Sequence, residues 1–230
     1  MEKQLSLDVQ LRDFRTFDNF VIGENQEAVG KIREMAIGTG AEVLFLWGPS
    51  GSGKTHLLQA ICRVASDHQF QPVYIPLADA SSLSPEILAG ISDSAFVCID
   101  DVDIIAGRDE WERALFTLFE EVRGHTPLIV TAKSSPRSSG LIMQDLLTRL
   151  ASGLVYQMQL LSDQNKIAAM QLRAAQRGFD LTNEVANYVL NRYPRDTHVL
   201  FGLLDELDKA SLATQRRITI PFIQKMEATR

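Results

Sequence analysis

Cysteine is scarce in this chain: Cys62 and Cys98 are the only two in 230 residues. Both lie in apolar surroundings, which excludes a disulfide scaffold and suits a reducing compartment, so the expected localisation is cytoplasmic. Long apolar runs are missing too. No stretch approaches the ~20 residues that a membrane-spanning helix needs. Met1-Glu2-Lys3-Gln4-Leu5 lacks the basic-then-apolar order of a signal peptide. No membrane partner is therefore expected. Grouped cations are also lacking. Against 23 basic side chains stand 29 acidic ones, a net charge of −6, whereas nonspecific DNA binding depends on clustered Lys and Arg. Residues 1–158 carry −8 and residues 159–230 carry +2, with no basic stripe in either part. His56, His68, His125 and His198 show no clustered ligand spacing, which argues against zinc. There is no internal repeat and no low-complexity segment.

What is present is an ordinary globular composition, 45% apolar and 23% charged, in a chain long enough to bury a core without staples. Val43-Leu44-Phe45-Leu46-Trp47 is a short continuous apolar run that ends at a glycine, the signature of a buried parallel strand. Similar strands are expected at 72–76, 95–99, 127–131 and 154–158. Between them, helical spacing is found at about 55–68, 109–122 and 143–151. Ser84-Pro85-Glu86 has the form of an N-cap and first turn. Beyond residue 160 the strand signal fades and helices are expected at about 163–177, 183–192, 196–213 and 218–227. Gly178 fits a helix stop, Thr182 a cap, and Pro194 an end. The alternation predicts an α/β unit, a mostly parallel five-stranded sheet flanked by helices, followed by a small helical domain.

Gly48-Pro49-Ser50-Gly51-Ser52-Gly53-Lys54-Thr55 matches G-x-x-x-x-G-K-[ST] between a strand and a helix, the context that pattern requires. Glycines let backbone amides turn toward phosphate oxygens, and the helix N-terminus favours the anion. Lys54 should reach the β- and γ-phosphates, and the Thr55 hydroxyl should bind Mg²⁺. Asp100 ends an apolar strand and is a second candidate ligand for Mg²⁺, while Asp101 is placed to polarise a water. Thr131 ends the fourth strand, where polar groups meet ligands in such sheets. Arg149 and Arg195 are the guanidinium candidates for contact with phosphoryl groups.

Together these motifs resemble the AAA+ family, in particular the branch of the bacterial replication initiator DnaA and its DnaA-homologous regulatory inactivators, the Hda type. The likeness starts at Thr16-Phe17-Asp18-Asn19-Phe20-Val21-Ile22-Gly23 and runs through Gly53-Lys54-Thr55-His56-Leu57-Leu58, Ile99-Asp100-Asp101 and Arg149-Leu150. It continues into the helical lid, with Leu181 and Pro221-Phe222. Gln4-Leu5-Ser6-Leu7 is similar to peptides that dock on the sliding clamp of DNA polymerase. The resemblance implies three regions: 1–13 as clamp-binding peptide, 14–160 as AAA+ P-loop NTPase core, and 161–230 as α-helical lid.

It further implies an adenine nucleotide, ADP favoured and ATP an alternative, with Mg²⁺. Phe20, Val21, Ile22, Pro49, Ser50, Gly51, Ser52, Gly53, Lys54, Thr55, His56 and Arg195 would hold it, with Thr55 and Asp100 on the metal. Arg149 would act in trans as an arginine finger on the initiator's own ATP, with Asp101 and Thr131 as the remaining reaction-centre candidates. The implied partners are the clamp and the initiator, with DNA reached only through the clamp at the nucleoid; a homo-oligomer stays open. The implied job is negative regulation of replication initiation. The chain's own hydrolysis would then be weak and secondary. Two positions depart from the pattern: Lys133-Ser134 stands where the initiator type has an Asp-Arg pair, and Asp8 follows Leu7 where clamp peptides usually carry a proline or apolar residue. Two alternatives share parts of the pattern, a helicase loader and a free-standing P-loop small-molecule kinase.

Overall fold

The computed structural model of the chain describes residues 15–37 and 43–228. The peptide Gln4-Leu5-Ser6-Leu7 lies outside the described residues. Among those described, five strands form one sheet: β1 (Val43–Trp47), β2 (Pro72–Pro76), β3 (Phe96–Asp100), β4 (Leu128–Ala132) and β5 (Leu154–Gln157). Their order is β2-β3-β4-β1-β5, and every neighbouring pair is parallel. All five expected strands appear, shifted by no more than one residue at either end.

The apolar runs behave as strands covered on both faces. Phe45 of β1, Val97 and Ile99 of β3, and Leu128 and Val130 of β4 point into one core. Leu44 and Leu46, Phe96 and Cys98, and Ile129 point into the other. The first core is completed by α3 (Asp109–Val122) and α4 (Gln144–Ser152), which contribute Trp111, Leu115, Leu118, Leu146 and Leu150. The second is completed by α1 (Gln26–Ile37) and α2 (Lys54–Asp67), which contribute Ile32, Leu57, Leu58 and Ile61. Each face of a parallel sheet needs such a cover, and crossover helices supply it.

The sequence reading contains no helix at α1. Its signal is the run Ala28, Val29, Ile32, Met35 and Ala36, which is buried at helical spacing against α2. Gly30 interrupts the propensity of that run. Near Ser84 the chain forms only a short 3₁₀ turn, Pro85–Leu88, with the Ser84 hydroxyl accepting from the Glu86 amide.

After β5 come α5 (Asp163–Gln176), α6 (Asn183–Arg192), α7 (Thr197–Thr214) and α8 (Ile220–Glu227). They bury a third apolar cluster of their own, centred on Met170, Leu181, Val189, Leu200, Leu204 and Ile223. Ser162, Thr182, Asp196 and Thr219 cap the four N-termini through their side chains. Each cap answers amides that a helix start leaves without a partner. Among the described residues no helix is long and apolar enough to cross a membrane.

One buried carboxylate ties distant segments together. Glu112 of α3 is fully buried. It accepts from the amides of Gly107 at 2.7 Å, Met143 at 2.8 Å and Ile142 at 3.0 Å. It thus joins the loop after β3 to the entrance of α4. Glu112→Ala is expected to lower the unfolding free energy by ~2–4 kcal/mol, because three amides lose their acceptor. Urea denaturation checks this, and Glu112→Gln, which keeps one acceptor oxygen, should fall between.

Candidate functional site

The sheet order sends the chain in opposite directions from β1: β4, β3 and β2 lie on one side and β5 on the other. At that switch point a crevice opens at the carboxyl ends of the strands. The phosphate loop leaves β1 there. The Gly48 amide donates to the Ala132 carbonyl at 3.2 Å and the Met158 amide to the Trp47 carbonyl at 2.6 Å. A Cβ on Gly48 would stand 2.4 Å from the Met158 carbonyl oxygen. Only glycine allows this approach.

Gly53 precedes α2 with φ of 95°, and a Cβ there would meet the Phe20 ring at 2.6 Å. Lys54 opens the helix and is buried. Its ammonium donates to the carbonyls of Gly48 at 2.7 Å and Pro49 at 3.1 Å. Burial pulls the Lys54 pKa down, against the opposing pull of Asp101, Asp100 and Asp103.

The acids of β3 are arranged by one hydroxyl. Thr131 is fully buried and donates to Asp100 Oδ1 at 2.5 Å, while its oxygen accepts from the Asp101 amide at 2.9 Å. The Tyr74 hydroxyl donates to Asp100 Oδ2 at 2.8 Å. Burial, followed by the Asp100 charge, pushes the Tyr74 pKa up and keeps its proton in place. Asp101 adopts φ of 59°, turned out of the strand, and lines the cleft, whereas Asp100 and Thr131 lie beneath it. Burial raises the Asp101 pKa, as do Asp100 and Asp103, against Lys54 and Lys133.

The segment 15–25 straps the loop to the helical unit. His56 Nε2 stands 2.8 Å from the Thr16 carbonyl. A carbonyl only accepts, so Nε2 carries the proton. Phe20 packs edge-on against the His56 ring at 5.2 Å. Asn19 donates to Gln176 of α5 at 3.1 Å, and the Asn25 side chain exchanges two hydrogen bonds with the backbone of Gln159. From the other side Thr197, the first residue of α7, packs against Gly51.

Between these walls lies a cleft of about 500 Å³. Of the residues singled out in the sequence, Phe20, Val21, Ser50, Gly51, Ser52, Gly53, Lys54, Thr55, His56 and Asp101 line it. Ile22 instead packs on the α1–α2 core, and Pro49 contributes its carbonyl to Lys54. Arg195 is not on the cleft wall: it precedes α7 and pairs with Asp163 at 2.6 Å. The arginines on that wall are Arg15, and Arg173 of α5, the latter stacked over Phe201 at 4.9 Å and paired with Asp205 at 3.1 Å. No local motif marks Arg173; only the fold of the helical unit brings it here. Arg149 lies on α4, away from the cleft lining, with its Nε 3.0 Å from Glu120.

The cleft fits a phosphate chain. The N-terminus of α2 has no side-chain cap, so its first amides remain free to donate to an anion. Ser52 Oγ is buried in the loop and has no hydrogen-bond partner among the described residues, which leaves it available to a phosphate oxygen. The Thr55 hydroxyl and the Asp101 carboxylate share the cleft and are hard oxygen donors of the kind Mg²⁺ accepts.

Comparison with known proteins gives a consistent pattern. Residues 163–226 match the family model described as Hda, lid domain, and residues 11–83 match the bacterial DnaA ATPase domain. A Haemophilus influenzae protein described as uncharacterized is 40% identical over 98% of this chain and 99% of its own length. Among solved structures, domain III of the Thermotoga maritima replication initiation protein DnaA superposes with a TM-score of 0.79 at 22% identity. It covers 91% of this chain and 94% of that one. AMPPCP-bound DnaA from Aquifex aeolicus gives 0.68 at 19% identity, over 84% and 64%. The Thermotoga maritima RuvB Holliday junction branch migration motor gives 0.67 at 18% identity, over 93% and 72%.

Two outcomes follow from the geometry. Gly53→Ala forces a Cβ into a left-handed backbone and against Phe20. At a cost of about 1–2 kcal/mol it should weaken nucleotide binding about tenfold, measured by titration with a fluorescent nucleotide. For His56, burial depresses the pKa, as do Arg15 and Arg173, against the bond to Thr16. The unfolded chain takes up this proton near pH 6.5, before the folded one does. Stability conferred by neutral His56 is therefore present above that pH and lost as pH falls toward the depressed folded value. Between pH 7 and 5 the wild type should lose stability more steeply than His56→Gln in urea denaturation.

Proposed function

The chain belongs to the AAA+ proteins homologous to the initiator DnaA, of the Hda type, and on that premise we propose that it restrains replication initiation by promoting hydrolysis of initiator-bound ATP. In this reading the chain is a nucleotide-binding regulator whose partner performs the turnover. Its own cleft holds an adenine nucleotide, with ADP as the ligand of the active form. Lys54, Ser52 and the first amides of α2 would hold the phosphates, with the Thr55 hydroxyl toward Mg²⁺; the second ligand expected from the sequence, Asp100, has both oxygens engaged by Thr131 and Tyr74, and the Asp101 carboxylate on the cleft lining would take that place. Mg²⁺, when bound there, would neutralise phosphate charge. Thr131 keeps Asp101 turned toward that site through the Asp101 amide. Phe20, Val21 and Leu161 are apolar members of the cleft lining, on which a base could pack.

The observation that carries the trans reading is the position of Arg149. It stands on α4 outside its own cleft, partly exposed, in an ion pair with Glu120. A guanidinium offered at the surface suits charge developing on a transferring phosphoryl group in a neighbouring site. The helix that carries it is fixed at its entrance by Glu112 and packed into the core through Leu146 and Leu150. Gln4-Leu5-Ser6-Leu7 would tether the protein to the DNA-loaded clamp, so that DNA is reached indirectly and without a basic surface.

The test is initiator ATP turnover with clamp loaded on DNA. Arg149→Ala should abolish stimulation, a loss of about a thousandfold for an arginine finger, while its own nucleotide affinity stays at the wild-type value. Gln4→Ala with Leu5→Ala should lose retention on the clamp. Stimulation by Arg149→Ala equal to wild type would overturn the finger assignment, and unchanged clamp retention would overturn the tether.

A further inference from the structure

The sheet has two outer edges, and they differ. β2 forms one of them and begins and ends on proline, Pro72 and Pro76. Proline has no amide to offer and is one of the usual guards of a sheet edge. β5 forms the other edge with Leu154-Val155-Tyr156-Gln157, which contains no proline. Among the described residues no strand lies beyond it.

The direction of the β5 backbone follows from one bond. In a parallel ladder alternate residues turn their amides and carbonyls to opposite sides. The Met158 amide donates to the Trp47 carbonyl of β1, so Tyr156 and Met158 face β1, and Val155, Gln157 and Gln159 face outward. At Gln159 the outward pair is satisfied. The Asn25 side chain accepts from the Gln159 amide at 2.7 Å and donates to the Gln159 carbonyl at 3.1 Å. One carboxamide thus makes the two bonds that a neighbouring strand would make. Asn25 is buried and stands directly before α1, where its carbonyl accepts from the Val29 amide. Gln157 and Val155, the next two residues of the outward row, border a recess of about 260 Å³ instead. Val155 is 39% exposed there.

The other wall of that recess is acidic. Glu24 and Glu27, at the start of α1, line it, and no basic side chain does. Two copies of this chain meeting edge to edge would bring two such walls to one seam, and like charges across a strand pair are unfavourable. A strand that carries Lys or Arg meets opposite charge instead. We infer that the outer edge of β5 is a docking site for an extended, basic segment of a partner protein, which adds a sixth strand beside Val155 and Gln157. Backbone bonds to those two residues supply the attachment, and Glu24 and Glu27 select cationic side chains. The recess shares no residue with the nucleotide cleft, so the inference is independent of the nucleotide-binding reading.

The experiment titrates the isotope-labelled full chain with a capped eight-residue peptide of alternating lysine and valine and follows the backbone amides by NMR. The Val155 and Gln157 amides should shift saturably and exchange more slowly with solvent. A peptide of alternating glutamate and valine should bind at least about tenfold more weakly. Val155→Pro removes one outward amide and no bond to β1. It should weaken the lysine peptide about three- to tenfold, the scale of one hydrogen bond, whereas Val155→Thr, which keeps the amide, should bind as the wild type does. Both variants should match the wild type in urea denaturation and nucleotide titration. Glu24→Gln with Glu27→Gln should remove most of the preference for lysine over glutamate. Equal binding of the two peptides, or no response of Val155 and Gln157 up to about 1 mM peptide, overturns the inference. A response of those amides to raised protein concentration alone also overturns it, because the occupant is then a second copy.

Discussion

The end of β1 is held from both sides, and the site depends on that constraint. On one flank the Gly48 amide is bound to the Ala132 carbonyl of β4; on the other the Met158 amide, just after β5, is bound to the Trp47 carbonyl. These two bonds set where the loop starts. A loop of glycines and serines has many conformations available to it, and it becomes a phosphate cradle only when its two ends are fixed. β1 fixes one end, and the buried face of α2, through Leu57, Leu58 and Ile61, fixes the other. The same arrangement brings the ends of β3 and β4 to the loop and delivers the chain from β5 into the helical unit that closes the cleft.

Charge within the cleft is ordered by neutral groups. The hydroxyls of Thr131 and Tyr74 each take one oxygen of Asp100, and Thr131 also receives the Asp101 amide. One acid is thereby engaged below the surface and its neighbour is turned outward. Thr131 thus acts on the site through the two aspartates. Burial acts in opposite directions on the two charged groups that face the ligand: it lowers the pKa of Lys54 and raises that of Asp101. Each partly offsets the other, so neither charge is buried alone.

A second set of carboxylates serves the outer face. Glu112 and Glu120 both belong to α3. The first receives the amides at the entrance of α4, and the second pairs with Arg149 near its end. Helix α4 is therefore guided at both ends by one neighbour. The buried contact supplies rigidity, because leaving those amides without an acceptor would be costly. The exposed ion pair holds Arg149 only lightly. Glu112 also receives the Gly107 amide, so the loop that follows Asp101 and the helix of Arg149 share one anchor.

Much of this was legible in the residues themselves. Continuous apolar runs at Val43–Trp47 and Phe96–Asp100, a glycine-rich loop before a lysine, and the fading of strand signal after residue 160 determined a parallel α/β core, a candidate phosphate loop and a helical appendage. Local chemistry suffices for these, since strand burial, backbone freedom and helical period are properties of short segments. Other features arose only from the fold. Helix α1 is recognised by its burial against α2. Arg173 instead of Arg195 on the cleft wall, Asp101 facing the cleft above a buried Asp100, and Lys133 beside the loop all depend on contacts between segments far apart in the chain. A sequence states which groups are available. Which of them meet is decided by packing, because the direction of a long side chain is set by neighbours that only the tertiary structure supplies.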